Sequence, residues 1–271
     1  MPKIRRPSFI DIERWISEGH GQGHGDNYRP FYQARDVPSS GRSHIVPSLK
    51  FNRVHQYFSD NEYYVHLLSE FEPSVIEIRE QYALLPWDET QKIAIELGIK
   101  YPNILFTKTP TLLTTDLLLT IHRSEGLEFE AVAVKPSYKV DLNSPTASKR
   151  VHEKLLIEKI YWQRRKVPFR VCTEKNIPIL KARNLDLLSD RIFVKSLNWL
   201  TEYLEPFRNA FYQCWTSDRC LNEIITMISN KLFLDKKYCF NLFARSVWLH
   251  LISVDLESTI LSHIYPIKMI R

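Results

Sequence analysis

Two apolar, β-branched runs, Thr111–Ile121 and Leu127–Lys135, face each other across the polar turn His122-Arg123-Ser124-Glu125-Gly126. Their length, their Leu, Val, Ile and Thr content and the glycine in the turn predict two strands of a hairpin. Leu127-Glu128-Phe129-Glu130 alternates before the second run turns apolar, while the first run is nearly continuous, as expected for a strand covered on both faces. That requirement points to a layered α/β architecture with helices packed on a sheet.

Two of the hairpin's charges stand out. Asp116 sits among Leu112, Leu113, Leu117, Leu118 and Leu119, and Lys135 ends the second run nineteen residues later, just before Pro136. An unpaired carboxylate in such surroundings is costly, so a partner is expected. One reading is a structural ion pair. The other is chemical: a carboxylate on one strand beside a lysine on the next is how many magnesium-dependent nucleases hold metal and place water. Phosphodiester hydrolysis needs a hard cation, and Mg2+ takes oxygen ligands, usually one or two carboxylates with phosphate and water.

The flanking segments extend the pattern. Ser59-Asp60-Asn61-Glu62 reads as a capping box opening a helix to about Phe71. Val75–Arg79 alternates as a strand that Tyr82–Pro86 extends or returns, and a short helix near Glu89–Leu97 is closed by Gly98. A helix at Ala147–Lys166 and a strand at Val167–Cys172 follow. The order is helix, three strands, helix, strand, an α/β frame with a mixed sheet. Glu62 and Glu158 bring further acids to it, with bland alternatives as a capping acid and as the i+4 partner of Lys154. Glu72 and Glu77 are nearby substitutes, Glu77 expected to face solvent beside Arg79. Ala133, two before the lysine, offers only its backbone carbonyl where many such nucleases place a carboxylate.

Five of the seven glycines precede residue 42 and none follows Gly126. Gly19-His20-Gly21-Gln22-Gly23-His24-Gly25 is therefore expected to be a loop, without the Gly-Lys-Ser/Thr of a P-loop. His20 and His24 lack nearby partners for a metal site. Beyond Lys175 the texture is helical, with candidates at Leu185–Asn198, Thr201–Cys214, Leu221–Asn230 and Asp235–His250. The last two, followed by the β-prone Leu251–Val254, have the proportions of a helix-turn-helix with a wing. The boundary is expected near Thr173–Pro178, giving domains 1–173 and 174–271.

Composition narrows the class. Cys172, Cys214, Cys220 and Cys239 form no CxxC pair and read as reduced thiols. No secretory leader or stretch of eighteen apolar residues is apparent, so a cytoplasmic protein without a membrane span is expected. The net charge of +6 is uneven: residues 135–170 hold ten Lys/Arg against Asp141, Glu153 and Glu158. Such a stretch is either a solvated helix face or a flank for a polyanion. The basic helix and strand at 149–170, with Lys149, Arg150, Arg164, Arg165 and Lys166, are the candidate DNA contacts. Tyr161 and Trp162 are expected in the core rather than stacked on bases.

The chain resembles the TnsA family, the endonuclease subunits of heteromeric bacterial cut-and-paste transposases. The resemblance is carried in order by Gly19–Gly25, Val37-Pro38-Ser39-Ser40-Gly41-Arg42-Ser43-His44, Arg53-Val54-His55, Ser59–Glu62, Ile78–Pro86, Thr115-Asp116, Val134-Lys135-Pro136, Glu153-Lys154-Leu155, Glu158 and Tyr161-Trp162-Gln163. It spans residues 19–163 and fades beyond 175. It implies a restriction-endonuclease-like catalytic domain with a winged-helix-like C-terminal domain. It also implies metal ligands at Glu62 and Asp116, a catalytic Lys135 and a supporting Glu158. Ala133 removes the side chain, often an amide, that the family has two before the lysine. One or two Mg2+ ions are implied, with Mn2+ able to substitute. The implied activity is cleavage of the 5′ ends of a transposon in double-stranded DNA. A TnsB-like recombinase would cut and join the 3′ ends, and a TnsC-like ATPase would bind the C-terminal domain. Two other readings fit the residues: a stand-alone restriction-type or junction-resolving nuclease, and a non-catalytic DNA-binding adaptor on a nuclease fold.

Overall fold

The computed structural model describes residues 7–34, 41–104, 106–192 and 200–270. The chain divides into two compact units, Met1–Ile177 and Pro178–Arg271; the boundary expected after residue 173 lies four residues ahead of this division.

The first unit runs α1 (Phe9–Ser17), β1 (His44–Pro47), β2 (Val54–Tyr57), α2 (Asp60–Phe71), β3 (Val75–Ala83), α3 (Trp87–Glu96), β4 (Thr114–Arg123), β5 (Gly126–Val134), α4 (Ser137–Val140), α5 (Lys149–Arg164) and β6 (Phe169–Cys172). Its main sheet has the order β3-β4-β5-β6, antiparallel except for the parallel β5–β6 pair. A parallel neighbour needs a crossover, which α4 and α5 supply. The sheet is therefore mixed and helix-flanked, and a helical unit follows it. β4 is interior to the sheet, and Leu117, Leu118 and Leu119 are all buried, which explains its unbroken apolar run. Tyr161 and Trp162 lie in the core with Leu118, Ala131 and Ile157.

Two elements in the lead-in were not anticipated. α1 is opened by Ser8, whose hydroxyl accepts the Asp11 N–H while Asp11 accepts the Ser8 N–H. That box was legible as Ser-x-x-Asp. The hairpin β1–β2, with His44 opposite Tyr57 and Pro47 opposite Val54, has strands of four residues, too short for a periodic signal. The glycine segment is a looped strap against the β3 edge. A Cβ on Gly21 (φ +70°) would lie 2.3 Å from Ala83 Cβ, so only glycine passes there. Phe31 N–H donates to Gln81 O (3.1 Å) and Tyr28 Oη–H to Glu80 O (2.8 Å), so the edge does not stand open. Gly25 N–H donates to Glu77 Oε1 (2.7 Å), and Glu77 is buried beside Arg79 and Thr120. The solvent-facing placement expected for Glu77 is thus corrected: the strap covers it. Val37–Ser40 lies outside the described residues.

The second unit holds α6 (Ile179–Ile192), α7 (Leu204–Cys214), α8 (Leu221–Leu232) and α9 (Lys236–Trp248). α9 packs against α6, α7 and α8. Phe207, Phe211, Ile224, Ile228, Leu242 and Phe243 fill its interior. A short link at Phe233–Asp235 joins α8 to α9, and Val254 bridges Met269 antiparallel beyond α9. Buried Asn184 donates to Leu256 O and Thr259 O and accepts the Leu261 N–H, fixing the tail on α6. The part of the predicted Leu185–Asn198 helix after Ile192 falls outside the described residues. All four cysteines are free thiols, and no helix among the described residues is long and apolar enough to cross a membrane.

Candidate active site

The β4–β5 ladder ends at Leu117 opposite Val132. One step further Asp116 comes level with Ala133, and there its carboxylate replaces the missing backbone partner. Asp116 Oδ2 accepts both the Val134 N–H and the Lys135 ammonium, each at 2.6 Å. No described residue donates to Oδ1. The pair expected from sequence is therefore in direct contact, at the point where the two strands part.

Glu62 reaches the same place from the first turn of α2. Ser59 caps the helix by accepting the Glu62 N–H (3.3 Å). The return bond of the expected box goes one residue further back, because Glu62 Oε2 accepts the Phe58 N–H (3.1 Å) and Oε1 the Ser59 hydroxyl (2.9 Å). Burial, and then the charge of Asp116, lift the Glu62 carboxyl to about 7. Glu158 comes from the middle of α5 and accepts the Thr115 hydroxyl (3.3 Å), while Trp162 donates to Thr115 Oγ1 (2.8 Å). Burial lifts its carboxyl to about 8, against the pull of Lys135 and with the push of Asp116. It is buried, and it also lies within electrostatic reach of Lys154, one turn before it in α5. Burial alone would lower the Lys135 pKa, but Asp116 and Glu158 outweigh it and hold the amine firmly protonated. Lys154 is shifted downward by burial and by the neighbouring Lys135.

Ala133 is fully buried in β5. Ala131 N–H and Lys135 N–H both donate to β6 (to Pro168 O and Cys172 O), whereas Val134 N–H points to Asp116. Polar groups of alternate strand residues face opposite sides, so the Ala133 carbonyl turns toward β6. By the same alternation the Val134 carbonyl lies on the Asp116 side.

Gln81 was not singled out as a site residue. It lies on β3 between Glu80, opposite Leu117, and Tyr82, opposite Thr115. It is level with Asp116 and has a left-handed backbone, φ +48°. Its carbonyl leaves the ladder for Phe31, and its side-chain amide spans from Thr114 Oγ1 (3.1 Å) to Glu62 Oε2 (3.5 Å). A positive φ in a buried, non-glycine strand residue is a strained conformation that its surroundings hold. Only three-dimensional packing reveals it.

The candidate DNA contacts divide. Lys149 and Lys166 are exposed at the two ends of α5. Arg150 pairs with Glu153 (2.8 Å), Arg164 with Glu96 (2.5 Å), and Arg165 forks onto Glu89 (2.6 and 3.0 Å) while lying 3.6 Å from the Tyr161 ring. Glu72 caps the far end of α2, away from Glu62. His20 is buried against Phe31 O, and His24 is exposed beside Glu77. Neither joins a metal-type cluster among the described residues. One such cluster does exist: His55, His66 and Glu70 bring three ligand-type atoms within 4.8 Å of one another, a set capable of holding a divalent cation.

Comparison with known proteins places the chain in a family. Residues 72–174, which include Asp116, Lys135 and Glu158 but not Glu62, match the model of the TnsA-like endonuclease N terminal. The transposon Tn7 transposition protein TnsA of Escherichia coli is 41% identical over 181 residues, 67% of this chain and 63% of that protein. The chain thus matches somewhat under two thirds of the relative's length. With the mixed sheet, the acid–lysine pair and this identity in hand, the chain belongs to the TnsA family.

Proposed function

We propose that the chain is the Mg2+-dependent endonuclease subunit of a heteromeric transposase, cutting the 5′ strands at the ends of a mobile element in double-stranded DNA. The observation that carries this reading is the gathering of the Asp116, Glu62 and Glu158 carboxyls within electrostatic reach of the Lys135 ammonium, with Asp116 in direct contact. Lys135 is joined by Lys154 near Glu158, and burial pushes two of the three acids upward, so their ionised forms gain from a bound cation. An all-oxygen donor set fits a hard cation such as Mg2+, with Mn2+ as a substitute.

Glu62 and Asp116 Oδ1 would hold one ion, the Val134 carbonyl supplying a backbone oxygen, and Glu158 stands ready beside a second. When bound, Mg2+ supplies polarisation of the scissile phosphate and acidifies water. The chain's own groups do the rest. Lys135, firmly protonated, orients the attacking water and neutralises charge that develops on the phosphoryl oxygens. It is poorly suited to take a proton. Glu158, titrating close to neutral pH, suits that task better. Gln81 holds the Glu62 carboxylate in place, and the Phe58 and Ser59 donors fix its rotation.

Lys149 and Lys166 would meet phosphates, whereas Arg150, Arg164 and Arg165 first serve the fold. Residues 1–177 would form the catalytic domain and Pro178–Arg271 the docking domain for a TnsC-like ATPase. A TnsB-like recombinase would cut and join the 3′ ends. The buried Ala133 methyl favours one rival, a non-catalytic adaptor on the same fold. The test is strand-specific cleavage of element-end DNA by the chain with its recombinase and ATPase partners. Asp116→Ala and Lys135→Ala should each abolish 5′ nicks and leave 3′ joining. Persistent 5′ nicks would refute the site, and efficient cutting by the chain alone would indicate a stand-alone nuclease.

A further inference from the structure

Along one stripe of α2, each one turn after the last, stand Glu62, His66 and Glu70. Glu62 serves the site described above. The other two meet His55 of β2 in the interior: His55 is 0% exposed, His66 2% and Glu70 4%. Each of the three is oriented by a further partner. His55 Nδ1 lies 2.8 Å from Glu80 Oε2, and Glu80 is gripped by the Arg53 guanidinium at 2.9 and 2.8 Å. The Tyr57 hydroxyl sits 2.8 Å from His66 Nδ1, and Glu70 Oε1 accepts the Ser48 hydroxyl at 3.0 Å.

What remains is unsatisfied. His55 Nε2 stands 3.6 Å from Glu70 Oε1, beyond hydrogen-bond length. His55 Nε2 and Glu70 Oε2 are both enclosed and have no hydrogen-bond partner. Enclosed atoms left unpaired in this way are costly. Arg53 matches Glu80, and the Lys50 ammonium is spent on the carbonyls of Ser69, Glu72 and Val75, so the cationic partner left to Glu70 is the His55 imidazole when protonated, 3.6 Å away. A metal-bound histidine commonly gives its other N–H to a carboxylate, which is the arrangement at His55 and Glu80.

We infer that His55, His66 and Glu70 form a structural site for a borderline transition-metal cation, Zn2+ by preference, separate from the Mg2+ site at Glu62 and Asp116. Two imidazoles and one carboxylate are a zinc donor set, whereas Mg2+ prefers oxygen alone. Ligand atoms around tetrahedral zinc lie about 3.3 Å apart, so the three side chains close in from their present separation when the ion enters. The ion would tie α2 to β2 and, through Glu80, to β3. It would thereby fix the helix that presents Glu62.

The experiment uses the full chain produced in zinc-supplemented medium and desalted. Elemental analysis and zinc-edge X-ray absorption should find one zinc per chain with the outer-shell scattering of two imidazoles. Asp116→Ala should retain it, and His66→Gln and Glu70→Gln should each weaken retention by about tenfold or more. Zinc added back to stripped protein should raise its melting temperature. Absence of stoichiometric zinc, a zinc shell without imidazole, or equal retention by His66→Gln would each overturn the assignment. The absorption spectrum is read on the wild-type chain, so it decides the matter even where a variant folds poorly.

Discussion

Replacing Glu62 by glutamine should stabilise the metal-free protein above neutral pH while destroying its use as a ligand. Burial and the charge of Asp116 lift this carboxyl from an ordinary 4.5 to about 7. Between those values the folded chain keeps a proton that the unfolded chain has released. The sign follows: the wild-type chain loses stability as pH climbs through this window, by about 1.4 kcal/mol per pH unit and about 3 kcal/mol once it is crossed. Below the window both states are protonated and the cost vanishes. Glutamine keeps an oxygen for the Phe58 N–H and an amide donor for Ser59 Oγ. It gives up a favourable charge at the α2 N-terminus, about 0.5–1 kcal/mol. Glu62→Gln should therefore be more stable than wild type by about 2 kcal/mol at pH near 8 in chelator, and no more stable at pH near 4. Urea denaturation followed by circular dichroism at both pH values checks this. Mg2+ should then reverse the order at the higher pH, since only the carboxylate gains from the ion. If the glutamine variant is less stable than wild type in chelator at that pH, the carboxylate is not under electrostatic stress, and the case for a cation site there fails.

Other expectations concern the neighbours. Lys135→Ala should reduce 5′-strand cleavage by at least about a hundredfold without weakening DNA binding to the same degree, as read by single-turnover nicking beside a binding titration. Gln81→Gly should relieve about 1 kcal/mol of backbone strain and still slow cleavage, because the amide that holds Glu62 is lost; a variant both more stable and fully active would remove Gln81 from the site. Arg165→Ala should cost about 1–2 kcal/mol of stability through its lost bonds to Glu89 and Leu85 O and its stacking on Tyr161. Lys166→Ala should leave stability unchanged and lower the salt dependence of DNA binding by about one phosphate contact. Cleavage by the wild-type protein should rise with pH through about 7, as Glu62 ionises to accept its metal, and a flat profile would speak against Glu62 as a ligand.

The elements that were legible are those whose signal is local. The β4–β5 hairpin announced itself by two apolar runs and a turn, α2 by Ser59 and Glu62, and α5 by its length. The site pair was legible for the same reason: a carboxylate and a lysine in strands that water cannot reach must find each other or a function. Where sequence reasoning fell short, the missing information was a long-range approach. Glu77 is hidden because the glycine strap crosses it, and Arg165 is occupied because Glu89 of α3 lies beside it.

By itself the sequence determined the α/β frame, the helical C-terminal region, the pairing of Asp116 with Lys135, and the family. Periodicity, capping and side-chain solvation act within a few residues and leave their mark in the order of amino acids. Tertiary structure alone decided how the site is completed. It placed Glu62 and Glu158 around Lys135, turned the Val134 carbonyl toward Asp116, and bent Gln81 into the left-handed region to reach Glu62. It also gathered His55, His66 and Glu70 from two elements into one dry cluster. These outcomes depend on register between strands, on which face a helix buries, and on the desolvation that follows. None of these is a property of any stretch of chain taken alone.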